Sequence, residues 1–373
     1  MEALYQQVYQ SIKADITNGK FQVGDRIPSE KELSEKFQVS RITSKKALEI
    51  LMNEGYVYRQ RGRGTFVDEF STNQKKQPSD TKKPLFGLIV TSLDASFGNN
   101  LVTALTDDTD EGFFIILKIS LGLPDKEEQL MQELMELGVD GMIVAPAHSD
   151  HYSSEILKMV VNKFPLVLID RSIKGIGVTS VSTDNQEAAQ TGVNYLFEIG
   201  HKHISVLMPS NYETTTIEDR IAGIVHAYAE KNVMVNKSQW HADIHSTLPY
   251  PLASKEEDIE RIKKHIQKHP EITAIFALEY NIALLAKKAI EDLNLNVPED
   301  ISIICFDSPP YNDLELNFTH LKQNEKELGQ KTIKRLMDMY KGELQIKKDE
   351  ISATLVEGET PRTLKLSKQK EGH

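Results

Sequence analysis

The chain has 373 residues, 39% of them hydrophobic and 7% aromatic, an ordinary composition for a soluble globular protein and enough length for two or three folding units. No apolar run approaches the ~20 residues that span a bilayer, and the mixed-charge opening MEALYQQVYQSIKADI lacks the segments of a secretory signal, so a cytoplasmic location is expected. The net charge of −11 excludes a protein that is basic throughout but hides an asymmetry: residues 1–67 hold 11 Lys and Arg against 8 Asp and Glu, which leaves 33 against 47 in the remainder.

In chain order, Leu4, Val8, Ile12 and Ile16 recur every fourth residue and predict an amphipathic helix that ends near Asn18-Gly19. IPSEKELSEKF then supplies Ser29 as an N-cap with Glu32 three residues on, a capping box opening a second helix with Leu33 and Phe37 inward. Gln38 and Val39 form a tight connection, Ser40 caps a third helix, and Ala47, Leu48, Leu51 and Met52 form its buried side. Arg41, Thr43, Ser44 and Lys45 are then left outward in its first turns. Arginine suits guanine or phosphate, hydroxyls suit phosphate or base edges, and a helix N-terminus favours an anion. Next, YVYRQ and GTFV flank Arg61-Gly62-Arg63-Gly64, a pattern for a basic hairpin that reaches a minor groove or backbone. A lone basic helix usually only solvates a surface; helix, turn, helix and basic hairpin in this order predict a DNA-binding winged helix.

From Asp68 to Pro84 the segment DEFSTNQKKQPSDTKKP has one aromatic and no aliphatic residue, too little apolar surface to offset its ordering entropy. It reads as a linker with an end-to-end distance of about 20 to 25 Å if it behaves as a random coil.

Beyond it, seven continuous apolar runs follow: LFGLIV (85–90), GFFIILKI (112–119), GMIVAP (141–146), PLVLID (165–170), HISVLMP (203–209), ITAIFAL (272–278) and ISIICFD (301–307). Such runs suit parallel strands covered on both faces. Between them lie helical candidates, including EEQLMQELMELG and NQEAAQTGVNYLFEIG, both closing on glycine. Alternating strands and helices specify a doubly wound α/β architecture, and about 280 residues of it suggest two lobes. The single cysteine, Cys305, excludes an intrachain disulfide, and its apolar setting marks it as buried.

Residues 4–67, above all GKFQVGDRIPSEKELSEKFQVSR, ALEILMNEGYV and RGRGTFV, resemble the winged-helix domain of GntR-type bacterial transcription regulators. The resemblance implies DNA contacts from Arg26, Arg41, Thr43, Lys45, Arg63 and Gly64; Ser44 joins them as an outward hydroxyl. Ile42 and Ser44 depart from the family's usual Thr and Val. LVLIDRS, STDNQEAAQTGVNYLFEIGHKHISVL, EDRIAGIVHAY and VPEDISIICFDS resemble the periplasmic-binding-protein-like domain of LacI-type repressors, over about residues 85–366. Together the two parts resemble the arabinose-repressor subgroup of GntR regulators. The resemblance implies a small α+β winged-helix domain (1–67), a linker (68–84), a larger two-lobed α/β domain (85–366) and a tail (367–373). It also implies a homodimeric repressor of sugar-uptake or catabolic genes, with double-stranded operator DNA and a small sugar effector, arabinose-like ligands included, as partners and with no membrane partner.

A polyol needs charged or amide groups for its hydroxyls and an apolar surface for its C–H face, gathered where strand ends meet a cleft. Asp170 follows LVLI, Asp307 follows ISIICF and Arg220 lies in EDRIAG, all at positions that match the family's effector contacts. Asp94, Ser96 and Phe97 in the loop after the first apolar run, Arg171, and Glu279 in FALEYNIAL complete the expected set. Each has a plainer alternative: Asp170 or Asp184 as a cap, Arg220 paired with Glu218 or Asp219, Asp307 as a turn residue. A sugar hydrolase would need paired carboxylates, and a transport binding protein would need export. Histidines 148, 151, 201 and 203 lack a supporting ligand motif and read as structural, so neither a metal nor a cofactor is expected and no enzyme is indicated.

Overall fold

The computed structural model describes residues 4–53, 55–60, 63–68, 83–93, 97–106, 112–149, 153–210, 214–309, 317–343 and 345–364. The chain divides into two compact units, Met1–Lys82 and Lys83–His373. Most of the expected linker and the whole of the expected tail lie outside the described residues. The two described ends of that linker stay with their neighbours: the Asp68 N–H donates to Tyr56 O at 3.0 Å, and the Pro84 carbonyl accepts from Phe114 N–H at 2.8 Å.

The first unit holds α1 (Leu4–Thr17), α2 (Glu30–Phe37), α3 (Arg41–Asn53) and the antiparallel pair β1 (Val57–Gln60) and β2 (Gly64–Val67). Its core joins Val8, Ile12 and Ile16 of α1 to Leu33, Ala47, Leu48 and Leu51. Leu4, expected on the buried stripe, is exposed because the helix begins there. The capping box of α2 is formed in both directions: the Glu32 N–H donates to Ser29 Oγ, and the Ser29 N–H donates to Glu32 Oε2 at 2.6 Å. Gln38 ends α2 in the left-handed region at φ 52°, and the Thr43 N–H donates to Ser40 Oγ at 3.2 Å. The three residues between α2 and α3, Gln38 to Ser40, thus have polar groups satisfied at both sides.

The second unit contains two six-stranded sheets. In the first lobe β3 (Leu85–Val90), β4 (Phe114–Ile119), β5 (Gly141–Val144), β6 (Leu166–Ile169), β7 (Thr179–Thr183) and β13 (Lys348–Ile351) run parallel in the order β13-β7-β6-β5-β3-β4. In the second, β8 (Ile204–Pro209), β9 (His241–Ile244), β10 (Ala274–Ala277), β11 (Ser302–Phe306), β12 (Thr319–Lys322) and β14 (Thr354–Val356) take the order β14-β12-β11-β10-β8-β9, with only β14 antiparallel. All seven apolar runs became strands. They are buried on both faces in the central positions, as continuous runs should be.

Helices cover both faces. The first lobe carries α4 (Asn99–Thr106), α5 (Pro124–Leu137) and α6 (Ser154–Val161); the second carries α7 (Asn185–Glu198), α8 (Thr215–Glu230), α9 (Lys255–Lys268) and α10 (Tyr280–Asp292). The chain then returns, with α11 (Glu325–Tyr340) packed on α4 and on the sheet of the first lobe. It therefore crosses between lobes three times, before α7, before α11 and between β13 and β14. Among the described residues no helix is long and apolar enough to cross a membrane.

Candidate functional site

In the first unit a shallow cleft is lined by Arg26, Lys31, Arg41, Arg59, Glu30 and Gly64. Arg26 reaches it from an antiparallel bridge to Phe66, Arg41 from the first turn of α3, and Arg59 from β1, where it pairs with Glu30 at 2.5 Å. Gly64, at φ +126°, lies so close to Arg26 that a Cβ there would fall 2.9 Å from Arg26 Nε. A side chain at position 64 would therefore displace Arg26 as well as strain the backbone. Arg63 is exposed in the turn, its N–H donating to Gln60 O at 3.0 Å, while Arg61 and Gly62 lie outside the described residues. Lys45 is exposed and 3.7 Å from Glu49; the Thr43 hydroxyl is 2.8 Å from Ser40 Oγ.

Ser44 requires a correction. It is 0% exposed because position 44 shares the inward face of α3 with Ala47, Leu48 and Leu51, and its hydroxyl has no hydrogen-bond partner among the described residues. It is absent from the basic surface. Arg59 and Lys31, which join that surface, were missed: Lys31 sits in a capping-box helix that also reads as ordinary solvated surface, and Arg59 in a strand too short to show which side faces out.

In the second unit a cavity of about 170 Å³ lies between the lobes, lined by Asp170, Arg171, Arg220, Glu279 and Asp307, with Phe97, Leu248 and Pro249 among its apolar walls. Six of the eight effector positions expected from sequence thus line one cavity. Asp94 and Ser96 lie outside the described residues.

The two aspartates occupy equivalent places. Asp170 follows β6 and Asp307 follows β11; each is in the left-handed region, at φ 66° and 61°, and each donates its N–H across to the next strand, to Val181 O and Leu321 O, both at 3.0 Å. Aspartate tolerates that conformation better than most residues. Arg220 is positioned by a close helix crossing. Gly223 lies one turn further along α8, and any Cβ on it would fall 2.1 Å from Gln186 O of α7. The crossing lets Arg220 Nε donate to Asn185 Oδ1 at 2.8 Å, while Nη1 donates to Leu278 O at 2.6 Å and the guanidinium carbon stands 3.6 Å from the Phe306 ring centroid. The surface pairing of Arg220 with Glu218 is absent; Glu218 pairs with Lys174 at 2.7 Å.

Burial pushes the Asp307 carboxyl up to about 7, against the lowering effect of Arg220 and of the Gln323 hydrogen bonds. Burial likewise pulls Arg220 down, opposed by Asp307, Asp170 and Glu279. Gln323 Nε2 donates to Asp307 Oδ2 at 2.8 Å, and Gln323 Oε1 accepts from Thr183 Oγ1 at 2.6 Å, so one amide ties the second lobe's aspartate to the first lobe's last central strand. Arg171 Nε lies 3.4 Å from Asp170 Oδ2, and its Nη1 donates to Pro146 O and Ala147 O. The Ala147 N–H donates in turn to Glu127 Oε2 at 2.7 Å, and burial raises Glu127 to about 7.

Gln323 and Glu127 were not foreseen, since a loop amide and one acid among five on an amphipathic helix carry no periodic signal. The start of α8 was missed as well: the Thr215 N–H donates to Ser149 Oγ at 2.6 Å, Thr215 Oγ1 accepts from Ser172 N–H at 3.0 Å and Thr216 Oγ1 donates to Asp170 O at 3.0 Å. These bonds join the lobes beside the cavity.

Residues 4–67 match the family described as bacterial regulatory proteins, gntR family, and residues 193–360 match the periplasmic binding protein-like domain. The chain is a DNA-binding GntR domain joined to a periplasmic-binding-protein-like domain. The chain is 25% identical over 345 residues to the arabinose metabolism transcriptional repressor of Geobacillus stearothermophilus, covering 90% of each chain. The arabinose metabolism transcriptional repressor of Halalkalibacterium halodurans is 26% identical over 311 residues, 82% of this chain and 81% of that one. The fold of the periplasmic-binding-protein-like domain is shared with a LacI family transcriptional regulator from Enterococcus faecium with bound ribose, at a TM-score of 0.62 and 22% identity over 75% of this chain and all of that one.

His201 and Cys305 fit the plainer readings. The His201 ring nitrogens lie 3.0 Å from Thr273 Oγ1 and 3.0 Å from Arg362 O; Cys305 is fully buried, and burial raises its thiol. Among the described residues no group of three or more His, Cys, Asp or Glu is arranged to hold a metal ion. His148 is half-buried and His203 exposed, while His151 lies outside the described residues.

Proposed function

We propose that this GntR protein is a homodimeric repressor that a neutral, hydroxyl-rich sugar releases from operator DNA. The observation that carries the reading is the interlobe cavity, in which Asp170, Glu279 and Asp307 gather around two arginines already bonded to protein acceptors. A phosphate or carboxylate would meet surplus carboxylates there. Sugar hydroxyls would instead donate to them, with Phe97, Leu248 and Pro249 offering apolar surface to the C–H face. At about 10 to 15 Å³ per water-sized group, the cavity takes roughly a dozen such groups, the scale of a monosaccharide.

In this reading Arg26, Arg41, Thr43, Lys45, Arg63 and the backbone at Gly64 meet the duplex, while Phe97, Asp170, Arg171, Arg220, Glu279 and Asp307 meet the effector. Two copies supply two winged helices for two half-sites, and action on DNA places the protein in the cytoplasm. Catalysis is not part of the assignment, because Asp307 is held by Gln323 and Asp170 is paired with Arg171. The resemblance along the chain to two arabinose metabolism repressors favours a pentose.

The test is a thermal-shift panel of neutral pentoses and hexoses beside their phosphates. A ligand specific to the folded state at 100 times its Kd adds about 2.7 kcal/mol of apparent stability. Stabilisation by a neutral sugar supports the reading; stabilisation by sugar phosphates alone refutes it.

A further inference from the structure

The outward side of α3 carries one residue that the fold itself does not use. Ile42 is 80% exposed, the most exposed large apolar residue among the described residues of the GntR domain. At 3.6 residues per turn it points about 170° away from the mean direction of Ser44, Ala47, Leu48 and Leu51, the buried side of the same helix. It gains nothing from packing. Nor does it favour the helix, since a β-branched side chain loses rotamer freedom there. Its neighbours on the outward face are cationic: Arg41 precedes it, Lys45 lies one turn on, and Lys46 stands with its ammonium 4.1 Å from the Tyr5 ring centroid. An apolar group ringed by cations fits poorly in a protein–protein contact, whose centre is depleted of charge. It fits the major groove, where the thymine 5-methyl group is the one apolar feature on a base edge and phosphates line the rim.

We propose that Ile42 is a specificity-determining residue that reads the 5-methyl group of one thymine in each operator half-site. The proposal rests on the DNA-binding reading of the winged helix and adds to it a named base feature. It also gives the departure at position 42 a chemical meaning, because a side chain with only methyl and methylene groups cannot hydrogen-bond a base.

The test uses the full-length protein and duplexes selected from a random pool by that protein. Each thymine in turn is replaced by deoxyuridine, which removes the methyl group and leaves the pairing edge intact. For the wild-type protein, one replacement per half-site weakens binding about threefold to fivefold, the effect of one buried methyl group. Ile42→Ala shows a similar loss on the unmodified duplex and no further loss at that position, while Ile42→Val keeps the sensitivity. Position 42 is exposed, so neither variant disturbs the core. Specific binding that ignores methyl removal, or that loses the same factor in wild type and Ile42→Ala, overturns the thymine assignment alone. Failure to select any duplex overturns it together with the DNA-binding reading.

Discussion

Arg41 and Arg220 carry the same guanidinium in opposite surroundings. Arg41 is exposed at the start of α3, one of several cations on an open surface, whereas Arg220 is 4% exposed and stacked on Phe306 among three carboxylates. Exposed cations act through a field that salt screens, and each is partly replaceable by its neighbours. A buried cation acts through fixed geometry and leaves an uncompensated charge when removed. The open basic surface therefore tolerates single changes gradually, and the cleft does not. This contrast suits a regulator whose output is adjustable affinity and whose input is a decision about one ligand.

The largest expected effect is that of Arg220→Ala, which strips Asp307 of its nearby cation. Urea denaturation should show the second unit weakened by about 3 to 5 kcal/mol, with the Asp307 carboxyl rising further. A loss below about 1 kcal/mol would put the pair in the class of surface ion pairs and erase the contrast.

Next comes pH. Burial has raised Asp307 to about 7, so the folded state keeps a proton that the unfolded chain releases from its ordinary value of about 4 upward. The unfavourable contribution of this group is complete above pH 7 and is relieved as the pH falls toward 4. A sugar hydroxyl donating to Asp307 needs the ionised form, so sugar affinity moves the opposite way. Calorimetry should find it about tenfold weaker at pH 6 than at pH 8, following the ionised fraction of a group titrating near 7. An affinity that does not change over this range would remove Asp307 from the effector contacts.

Ser44→Ala tests the corrected side of α3. Removing a buried hydroxyl without a partner should raise the stability of the first unit by about 1 kcal/mol and leave DNA affinity unchanged. A loss of DNA affinity would return Ser44 to the reading face. The smallest effect belongs to Arg41→Gln, which should lower the slope of log K against log salt by about one and weaken all sequences alike. A change of preferred bases would show that Arg41 reads sequence and does not only neutralise phosphate.

Much of the architecture was legible because central strands and capped helices leave strong local marks. The seven apolar runs, the Ser29–Glu32 box and the glycines that close α5 and α7 all became the expected elements. β7, β9, β12, β13 and β14 were missed: TSVST, HADI, THLK, KDEI and TLV are short and, TLV apart, at least half polar, and all five lie at or next to a sheet edge. The return of α11 and β13 to the first lobe is a long-range pairing that no local pattern encodes. Of the residues that line the cavity, Asp170 and Asp307 were legible because they end apolar runs, and Arg220 because its motif resembles a family's. Ser44 was misplaced because polarity was taken as outwardness, although its spacing from Ala47, Leu48 and Leu51 put it inside. Ile42 was noticed only as a departure; its exposure gives it a role to test.

The claim that joins the two regions is that sugar in the cleft weakens the grip of the winged helices on DNA. Fluorescence anisotropy of a labelled operator, titrated with full-length protein with and without a saturating neutral sugar, measures it directly. The DNA Kd should rise about 5-fold to 150-fold with sugar, and calorimetry should show DNA weakening sugar binding by the same factor. A sugar that binds the protein by calorimetry and leaves the DNA Kd unchanged would contradict the account.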